Sequence, residues 1–224
     1  MGYGRAVVMK CPRCVQRVHR SAMQCPHCGF SIAKVDEIFG EQELRVSCLT
    51  DAAGVLRRKE REGARRLLEG FQRRFPQLFF AVYFGTFREI PSLRQFGFWL
   101  LNRGVFEDAA PLRSNEAGIL LSVDVSGKAA GITFGYLLEP YLDEEATFRA
   151  LSAAHPHLLQ EQYLRAMETV IRRLQRVLVR EARRARRARR RPEGFGPAPA
   201  VTSREAGALL ERIRAGHGMR GAKL

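Results

Sequence analysis

The chain has 224 residues, a hydrophobic content of 46% and a formal net charge of +15. This hydrophobic share is typical of a globular protein and excludes a chain that is disordered throughout. The large positive charge indicates anionic partners, such as nucleic acid, a membrane surface or an acidic protein. The sequence shows neither an export signal nor an apolar run long enough to cross a bilayer, which predicts a soluble, cytoplasmic protein.

Four cysteines near the start of the chain predict a metal site. Cys11, Cys14, Cys25 and Cys28 form the pattern C-x2-C-x10-C-x2-C, which is the spacing of two knuckles that place four thiolates around one tetrahedral ion. We therefore interpret residues 1–34 as a small ribbon with a structural Zn2+, because four protein ligands leave no open position for catalysis. The alternative is a pair of disulfides, which a reducing compartment disfavours.

A polar linker over residues 35–42 is predicted to lead into the main domain, which we expect to extend over residues 43–179. Its first strand is predicted at residues 43–49. Apolar side chains then recur at helical spacing over residues 55–75, which predicts an amphipathic helix that Pro76 ends.

The next two elements are a strand and a second helix. Residues 78–84 are all apolar or aromatic and are followed by Gly85, which favours a strand buried on both faces. Pro91 is then expected to begin a helix that ends near Gly104.

Residues 118–135 predict an antiparallel hairpin. Over residues 118–124, Ile119, Leu121 and Val123 fall on one face and Leu120, Ser122 and Asp124 on the other, the period of a half-buried strand. Ser126 and Gly127 predict the turn, with Gly127 free to adopt a positive φ.

Two helices are predicted after the hairpin. The first covers residues 143–154 and is interrupted around Pro156, and the second carries an apolar stripe over residues 159–177. Strands and helices in this order predict an α/β fold, with a mixed sheet of about four strands sandwiched by helices. The four-cysteine ribbon precedes this domain, and a basic helical tail follows it.

The tail, residues 180–224, begins with a run of arginines. Eight arginines and one glutamate fall within twelve residues, so this run contributes +7 of the net charge. The arginine side chain donates two parallel hydrogen bonds to a phosphate, which predicts a polyanion-binding segment. An anionic membrane surface is the alternative partner, and a solvated helix end that binds no partner is the alternative role of the run. The arginines are Arg180, Arg183, Arg184, Arg186, Arg187, Arg189, Arg190 and Arg191.

Three segments of the chain resemble TPM-domain proteins, the family of thylakoid-lumen phosphatase-like and photosystem-repair proteins. The central one is GILLSVDVSGKAAGITFGYLLEPYLDEEA, beginning at Gly118. The segment TDAAGVL, beginning at Thr50, is similar to the family's opening motif, and WLLNRG, beginning at Trp99, is similar to its middle segment. One departure is Leu137, where the family usually has glycine.

The resemblance implies a phosphatase-like site made of carboxylates. Asp51, Glu139 and Asp143 would form a catalytic acidic cluster, and Asp124 would help to hold a hard divalent cation such as Ca2+ or Mg2+ that polarises a phosphoryl oxygen. Each residue has an alternative role. Asp51 and Asp143 stand where helix N-caps stand, Asp124 is a candidate turn residue, and Glu139 is a candidate surface side chain.

Two hypotheses about function follow from the sequence. The protein is either a metal-dependent hydrolase of phosphomonoesters, or a non-catalytic module that docks an anionic partner through its ribbon and arginine-rich tail. The retained Asp51 and Glu139 favour the first hypothesis. Leu137 and the absence of a recognisable nucleophile motif favour the second.

Overall fold

The part of the chain described by the computed structural model covers residues 8–19, 21–88, 90, 92–109 and 115–190. Besides two short 3-10 helices, Asn115–Ala117 and Tyr136–Leu138, it contains eight strands and five α-helices. In chain order they are β1 (Val8–Lys10), β2 (Arg17–His19), α1 (Ile32–Phe39), β3 (Leu44–Val46), β4 (Leu49–Asp51), α2 (Arg58–Arg74), β5 (Phe79–Gly85), α3 (Leu93–Arg103), β6 (Gly104–Phe106), β7 (Gly118–Asp124), β8 (Ala129–Phe134), α4 (Glu144–Leu159) and α5 (Tyr163–Arg190).

The central sheet has four strands in the order β4-β5-β7-β8. The first three strands run parallel, and β8 runs antiparallel to β7. β1 and β2 form a separate antiparallel pair in the ribbon, and β3 pairs with β6 in parallel. The predicted α/β class, with a mixed sheet of four strands and a cysteine cluster near the N-terminus, is confirmed.

Helices cover both faces of the central sheet. α3 lies on the face that includes Ser122, where a Cβ on Gly97 would come within 2.2 Å of the Thr133 hydroxyl. On the opposite face, Phe71 of α2 packs against Phe80, and Tyr163 of α5 packs against Phe84. The sheet is therefore the middle layer of an α/β/α sandwich.

The two central strands are buried on both faces, because helices cover each side. For β5 this confirms the prediction from its continuous apolar run. For β7 the predicted half-burial is wrong: every residue from Gly118 to Val123 is buried. α3 covers the face that carries Leu120 and Ser122, so the alternation in the sequence does not correspond to exposure to solvent.

Residues 43–49 form parts of two strands instead of one. β3 pairs with β6 outside the central sheet, whereas β4 begins at Leu49 and pairs with β5. Cys48 lies between them, and its backbone N–H donates to the Asp108 carboxylate at 2.6 Å. The hydrogen bond from Cys48 satisfies the backbone where the chain passes from one sheet to the next.

Residues 35–42, predicted as a linker, are mostly helical and make specific contacts. α1 spans Ile32–Phe39, is capped by the Ser31 side chain, and buries Val35 and Asp36. The Asp36 carboxylate receives two hydrogen bonds from the Arg103 guanidinium, at 3.0 and 2.5 Å. This ion pair fastens α1 to the end of α3, which explains why a segment with polar residues is ordered.

The hairpin turn differs from the prediction in the residue that has a positive φ. Lys128 adopts φ 49°, and Gly127 does not lie in the left-handed region. Gly127 is required for a different reason, because a Cβ at this position would come within 2.4 Å of the Asp124 carboxylate.

α4 continues through Pro156 to Leu159, so the predicted interruption is wrong. A proline inside a helix removes the hydrogen bond to the carbonyl four residues earlier, here that of Ser152. Ser152 is exposed, so water can take over this bond, while Ala154 and Leu158 hold the helix against the core.

We predict that the ion pair between Asp36 and Arg103 contributes measurably to stability. The Arg103 guanidinium holds the pKa of Asp36 below its ordinary value. Asp36→Ala should lower the free energy of unfolding by about 1–3 kcal/mol, because a hydrogen-bonded charge pair is lost and Arg103 is only partly exposed. Since the folded pKa is depressed, this contribution should be present above about pH 4 and be lost as the pH falls through the folded value.

Chemical denaturation over a pH series checks this prediction. The matched control is Glu107→Ala, because Glu107 pairs with Arg45 at 3.5 Å on the surface and exposed pairs contribute about 0–1 kcal/mol. Equal effects of the two substitutions at neutral pH would contradict the prediction.

Candidate metal centre and arginine groove

The four ribbon cysteines converge on one point. Their sulfur atoms all lie within 4.8 Å of one another, and Cys11 and Cys25 are buried. Within the part of the chain that the structure describes, no other group of three or more His, Cys, Asp or Glu side chains is arranged to hold an ion. The four cysteines can therefore hold a metal ion such as zinc.

The distances between sulfur atoms fit a tetrahedral ion. A zinc–sulfur bond of about 2.3 Å places the sulfur atoms of a tetrahedral site about 3.8 Å apart. The Sγ atoms of Cys11 and Cys28 are 3.7 Å apart, and those of Cys14 and Cys25 are 3.6 Å apart. A disulfide requires about 2.0 Å, and all four cysteines are free thiols.

Each knuckle closes with a residue that has a positive φ. Gly29 has φ 67°, and Val15, at the matching position of the first knuckle, has φ 64°. Their N–H groups donate to the carbonyls of Cys25 and Cys11, at 2.8 and 2.9 Å. A β-branched residue is strained in this region, so the geometry of the first knuckle is maintained against the local preference of Val15.

The local environment shifts the pKa values of Cys11 and Cys25 in opposite directions. Burial raises the pKa of Cys11 to about 12. Burial also acts to raise the pKa of Cys25, but hydrogen bonds from the backbone of His27 and Cys28 and from neighbouring thiols lower it to about 6. A thiolate at Cys25 is therefore available near neutral pH, and a metal ion would displace the proton from Cys11.

The ribbon contacts the main domain at one end of the sheet. The Lys10 ammonium lies 2.7 Å from the Glu144 carboxylate at the start of α4. Phe30 meets Phe98 of α3 edge to face, with ring centroids 5.4 Å apart. The candidate metal centre therefore belongs to a ribbon that is packed against the α/β domain.

Asp51, at the end of β4, organises the chain that leads into α2. Its two carboxylate oxygens accept hydrogen bonds from the N–H groups of Val55 and Leu56, at 2.9 and 3.0 Å, and Arg61 approaches to 3.1 Å. The N-cap of α2 is Arg57, so Asp51 is not the helix cap considered as its alternative role. Its side chain is 4% exposed.

Asp124 is the turn residue that its alternative role describes. It accepts hydrogen bonds from the Ser126 hydroxyl and backbone N–H, at 2.8 and 3.1 Å, and from the Phe87 N–H at 3.3 Å. Burial acts to raise its pKa, but these bonds and one from Gly127 outweigh it, so the pKa of Asp124 lies below its ordinary value.

Glu139 and Asp143 lie in the corner between β8 and α4. Asp143 is the N-cap of α4 and accepts from the Ala146 N–H at 2.7 Å. Glu139 is half-buried, and burial raises its pKa despite the nearby backbone N–H and charge of Lys10.

The strand directions separate the four predicted carboxylates into two pairs. Asp51 and Asp124 follow parallel strands and stand at the same edge of the sheet. β8 returns to the start of β7, where Phe134 pairs with Ile119, so Glu139 and Asp143 follow from the opposite edge. The two ends of β7 are about 20 Å apart at the usual strand rise. The structure therefore does not bring Asp51 and Glu139 together.

Arginines cover one face of α5. We define the arginine face as Arg172, Arg176, Arg180, Arg183 and Arg187, which recur at helical spacing. The opposite side of the helix packs into the core through Met167, Val170, Ile171, Leu174 and Leu178. Arg184 and Arg186 are also exposed on α5. The backbone of α5 includes Arg189 and Arg190, and Arg191 lies outside the described residues.

A concave groove of about 770 Å3 runs beside this face. We define the arginine groove as the surface lined by Arg74, Arg172, Gln175, Arg176, Val179, Arg180, Arg183, Arg184 and Arg187. Sequence analysis missed Arg74, Arg172 and Arg176. The spacing of four residues back from Arg180 could have found the last two, but nothing in the sequence places the end of α2 beside α5.

Few acidic side chains neutralise the groove. Glu168 pairs with Arg172 at 2.6 Å, and Glu181 lies near Arg180 and Arg184 at 3.1 and 3.9 Å. Arg74, Arg176, Arg183 and Arg187 form no ion pair with any residue that the structure describes. The groove therefore presents a concentrated positive charge to solvent.

No described helix combines the length and the apolar character that crossing a bilayer requires.

The sequence matches no protein-family model and no curated protein. Two solved domains are similar in structure. One is the N-terminal domain of a protein from P. gingivalis, at 22% identity and a TM-score of 0.45, over 58% of this chain and 81% of that one. The other is the N-terminal domain of the cg2496 protein from Corynebacterium glutamicum, at 13% identity and a TM-score of 0.44. The match covers 57% of this chain and 77% of that one.

We predict that the ionised form of Glu139 opposes folding. Because burial raises its pKa, the folded protein holds this proton more tightly than the unfolded chain does. Stability should therefore fall as the pH rises from the ordinary glutamate pKa, about 4.3, through the folded value. Glu139→Gln should remove this part of the pH dependence, as measured by chemical denaturation.

The control is Glu41→Gln at an exposed position, which should leave the pH dependence unchanged. An unchanged pH profile for Glu139→Gln would contradict the prediction. Loss of Mg2+ or Mn2+ affinity on the same substitution would instead support the predicted acidic ion site.

Proposed function

We propose that this protein is a non-catalytic binding module that docks a polyanionic partner through the arginine face of α5. The observation that carries the proposal is the continuity of this face, which runs from the folded body of the domain into the arginine-rich tail. Arg172 and Arg176 stand beside buried side chains, and Arg183 and Arg187 continue the same face beyond Leu178, the last buried residue described in α5.

α5 supports this function because one side of the helix is apolar and buried, whereas the other side carries exposed arginines. The apolar side fixes α5 to the sheet and to α2 as far as Leu178, so the backbone positions of Arg172 and Arg176 on the other side are defined. Eight of the nine residues that line the groove are polar, and seven of them are arginines. Pre-positioned arginines lose less entropy on binding phosphate than flexible basic residues do.

The hydrolase hypothesis receives less support from the same structure. The predicted acidic residues stand at two edges of the sheet, and Asp51, Asp124 and Asp143 each accept backbone hydrogen bonds. The resemblance to TPM-domain proteins and the phosphatase activity that it implies remain predictions. A phosphatase assay on metal-loaded protein, with Asp51→Ala and Glu139→Ala as controls, tests the predicted activity.

Zinc is the metal that we propose for the four cysteines. Four thiolates in tetrahedral arrangement are the ligand set of structural zinc sites, and a ribbon of this size needs such a staple to fold. A reducing, cytoplasmic setting belongs to this proposal, because it keeps the thiols available for the metal.

We predict one zinc ion per chain, measured by metal analysis of protein purified under reducing conditions. Cys14→Ser should remove most of the metal, because a structural site needs all four ligands. Val15→Gly, next to the same ligand, should keep the metal, because glycine adopts the positive φ of this position without strain. Zinc-free wild-type protein, or disulfides among these cysteines in reduced lysate, would contradict the prediction.

We also predict that the tail end of α5 is required for binding to a polyanion such as a DNA duplex. Arg183→Gln, Arg184→Gln, Arg186→Gln and Arg187→Gln, combined in the full-length protein, should weaken binding and reduce its salt dependence. Each phosphate contact on a duplex contributes about −0.9 to the slope of log K against log salt, so the slope should become shallower by up to roughly 3 to 4. Arginine and glutamine have similar helix propensities, so α5 should remain helical.

The matched control makes an equal change of charge elsewhere. Arg58→Gln, Lys59→Gln, Arg65→Gln and Arg66→Gln alter exposed positions on α2 that do not line the groove. Binding titrations at several salt concentrations compare the two variants with wild type on duplex DNA and on anionic vesicles. If both variants bind as the wild type does, the proposed function is wrong.

A further inference from the structure

We propose that the arginine groove is a binding site for the phosphodiester backbone of a nucleic acid strand, with Arg74 of α2 on one side and α5 on the other. This inference rests on the proposed function and makes it more specific. It names the partner, and it adds Arg74, Arg172 and Arg176 from the body of the domain to the arginines of the tail.

The shape of the surface favours a strand over a membrane. A bilayer is flat at the scale of this site, so it contacts fewer of the residues that line a concave surface. The backbone of a nucleic acid is a narrow, convex chain of charges that enters a groove. In addition, Val179 is the only apolar residue among those that line the groove, and it is half-buried, so an apolar anchor for lipid is lacking there.

The charges of the groove match phosphate diesters. Arg74, Arg176, Arg183 and Arg187 are exposed, and none of the described acidic residues pairs with them. Each guanidinium can donate two parallel hydrogen bonds to the two non-bridging oxygens of a phosphate. Binding would release the counterions that otherwise screen these arginines, which gives a strongly salt-dependent affinity.

The length of the groove sets the size of the site. Fifteen residues separate Arg172 from Arg187, or about 22 Å at the rise of an α-helix. One strand of a duplex presents a phosphate about every 3.4 Å along the axis, so about six phosphates lie beside this stretch. The seven arginines of the groove are enough to contact them.

The described lining of the groove offers no platform on which bases could stack. None of its lining residues is aromatic, so stacking on bases is absent from the site. Contacts to phosphates position a protein without reading sequence. We therefore expect similar affinity for strands of different base and sugar composition, provided that the length and the salt concentration are the same.

The test uses the full-length protein with two doubly substituted variants. Arg74→Gln with Arg176→Gln changes one lining residue of the groove on each of the two helices, α2 and α5. Arg65→Gln with Arg66→Gln is the control, because it removes the same charge from exposed positions of α2 outside the groove. Each protein is titrated with oligouridylate, oligothymidylate and a DNA duplex of equal length, and with phosphatidylserine-containing vesicles, at several salt concentrations. Chemical denaturation confirms that the variants are folded.

The groove variant should bind all three nucleic acids more weakly than wild type, and its duplex salt slope should be shallower by about 2, one for each lost contact. The control should retain the wild-type slope. Wild-type affinity in the groove variant, together with weak binding by the variant of Arg183, Arg184, Arg186 and Arg187, would overturn this inference and leave the proposed function intact. Binding of wild type to vesicles but to none of the nucleic acids would also overturn it.

Discussion

The parallel pairing of β5 with β7 is the constraint on which the rest of the fold depends. The two strands are aligned over seven residues, from Phe79 opposite Gly118 to Gly85 opposite Asp124. A Cβ on Gly118 would come within 2.4 Å of the Phe79 ring, so the first step of this register requires glycine. Because both strands are buried on both faces, each face needs a helical cover. The positions of α3 on one side, and of α2 and α5 on the other, follow from this requirement.

The same register determines where the carboxylates lie. Parallel strands end at one edge, so Asp51 and Asp124 stand together there, and the antiparallel β8 carries Glu139 and Asp143 away from them. The resemblance to TPM-domain proteins predicted that Asp124 and Glu139 belong to one site. The hairpin separates them, because Asp124 lies at its turn and Glu139 follows its open end, where Phe134 pairs with Ile119.

Patterns that depend on local physics could be predicted from the sequence. The spacing of the cysteines, the apolar run of β5, the N-cap at Asp143 and the stripe of α5 each reflect a preference of a few neighbouring residues. Elements stabilised by distant partners could not be predicted. α1 depends on Arg103, which is 67 residues away from Asp36, and α4 tolerates Pro156 because of burial at Ala154 and Leu158. Arg74 joins the groove only because α2 packs beside α5.

The separation of core and charge on α5 explains how this helix can carry so many arginines. Like charges on one face repel each other, and at about 0.15 M salt the screening length of about 8 Å exceeds the spacing of about 5.4 Å between successive turns. This repulsion opposes the helix, and the burial of Met167, Ile171 and Leu174 on the other side offsets it within the domain. Beyond Leu178 the described helix has no buried side chain. The repulsion between its arginines is therefore offset least in this part of the helix. An anionic strand along the arginine face would remove this repulsion and contact arginines of the folded body and of the extension at the same time. Under the proposed function, binding would therefore be coupled to the helical order of the extension through the same charges.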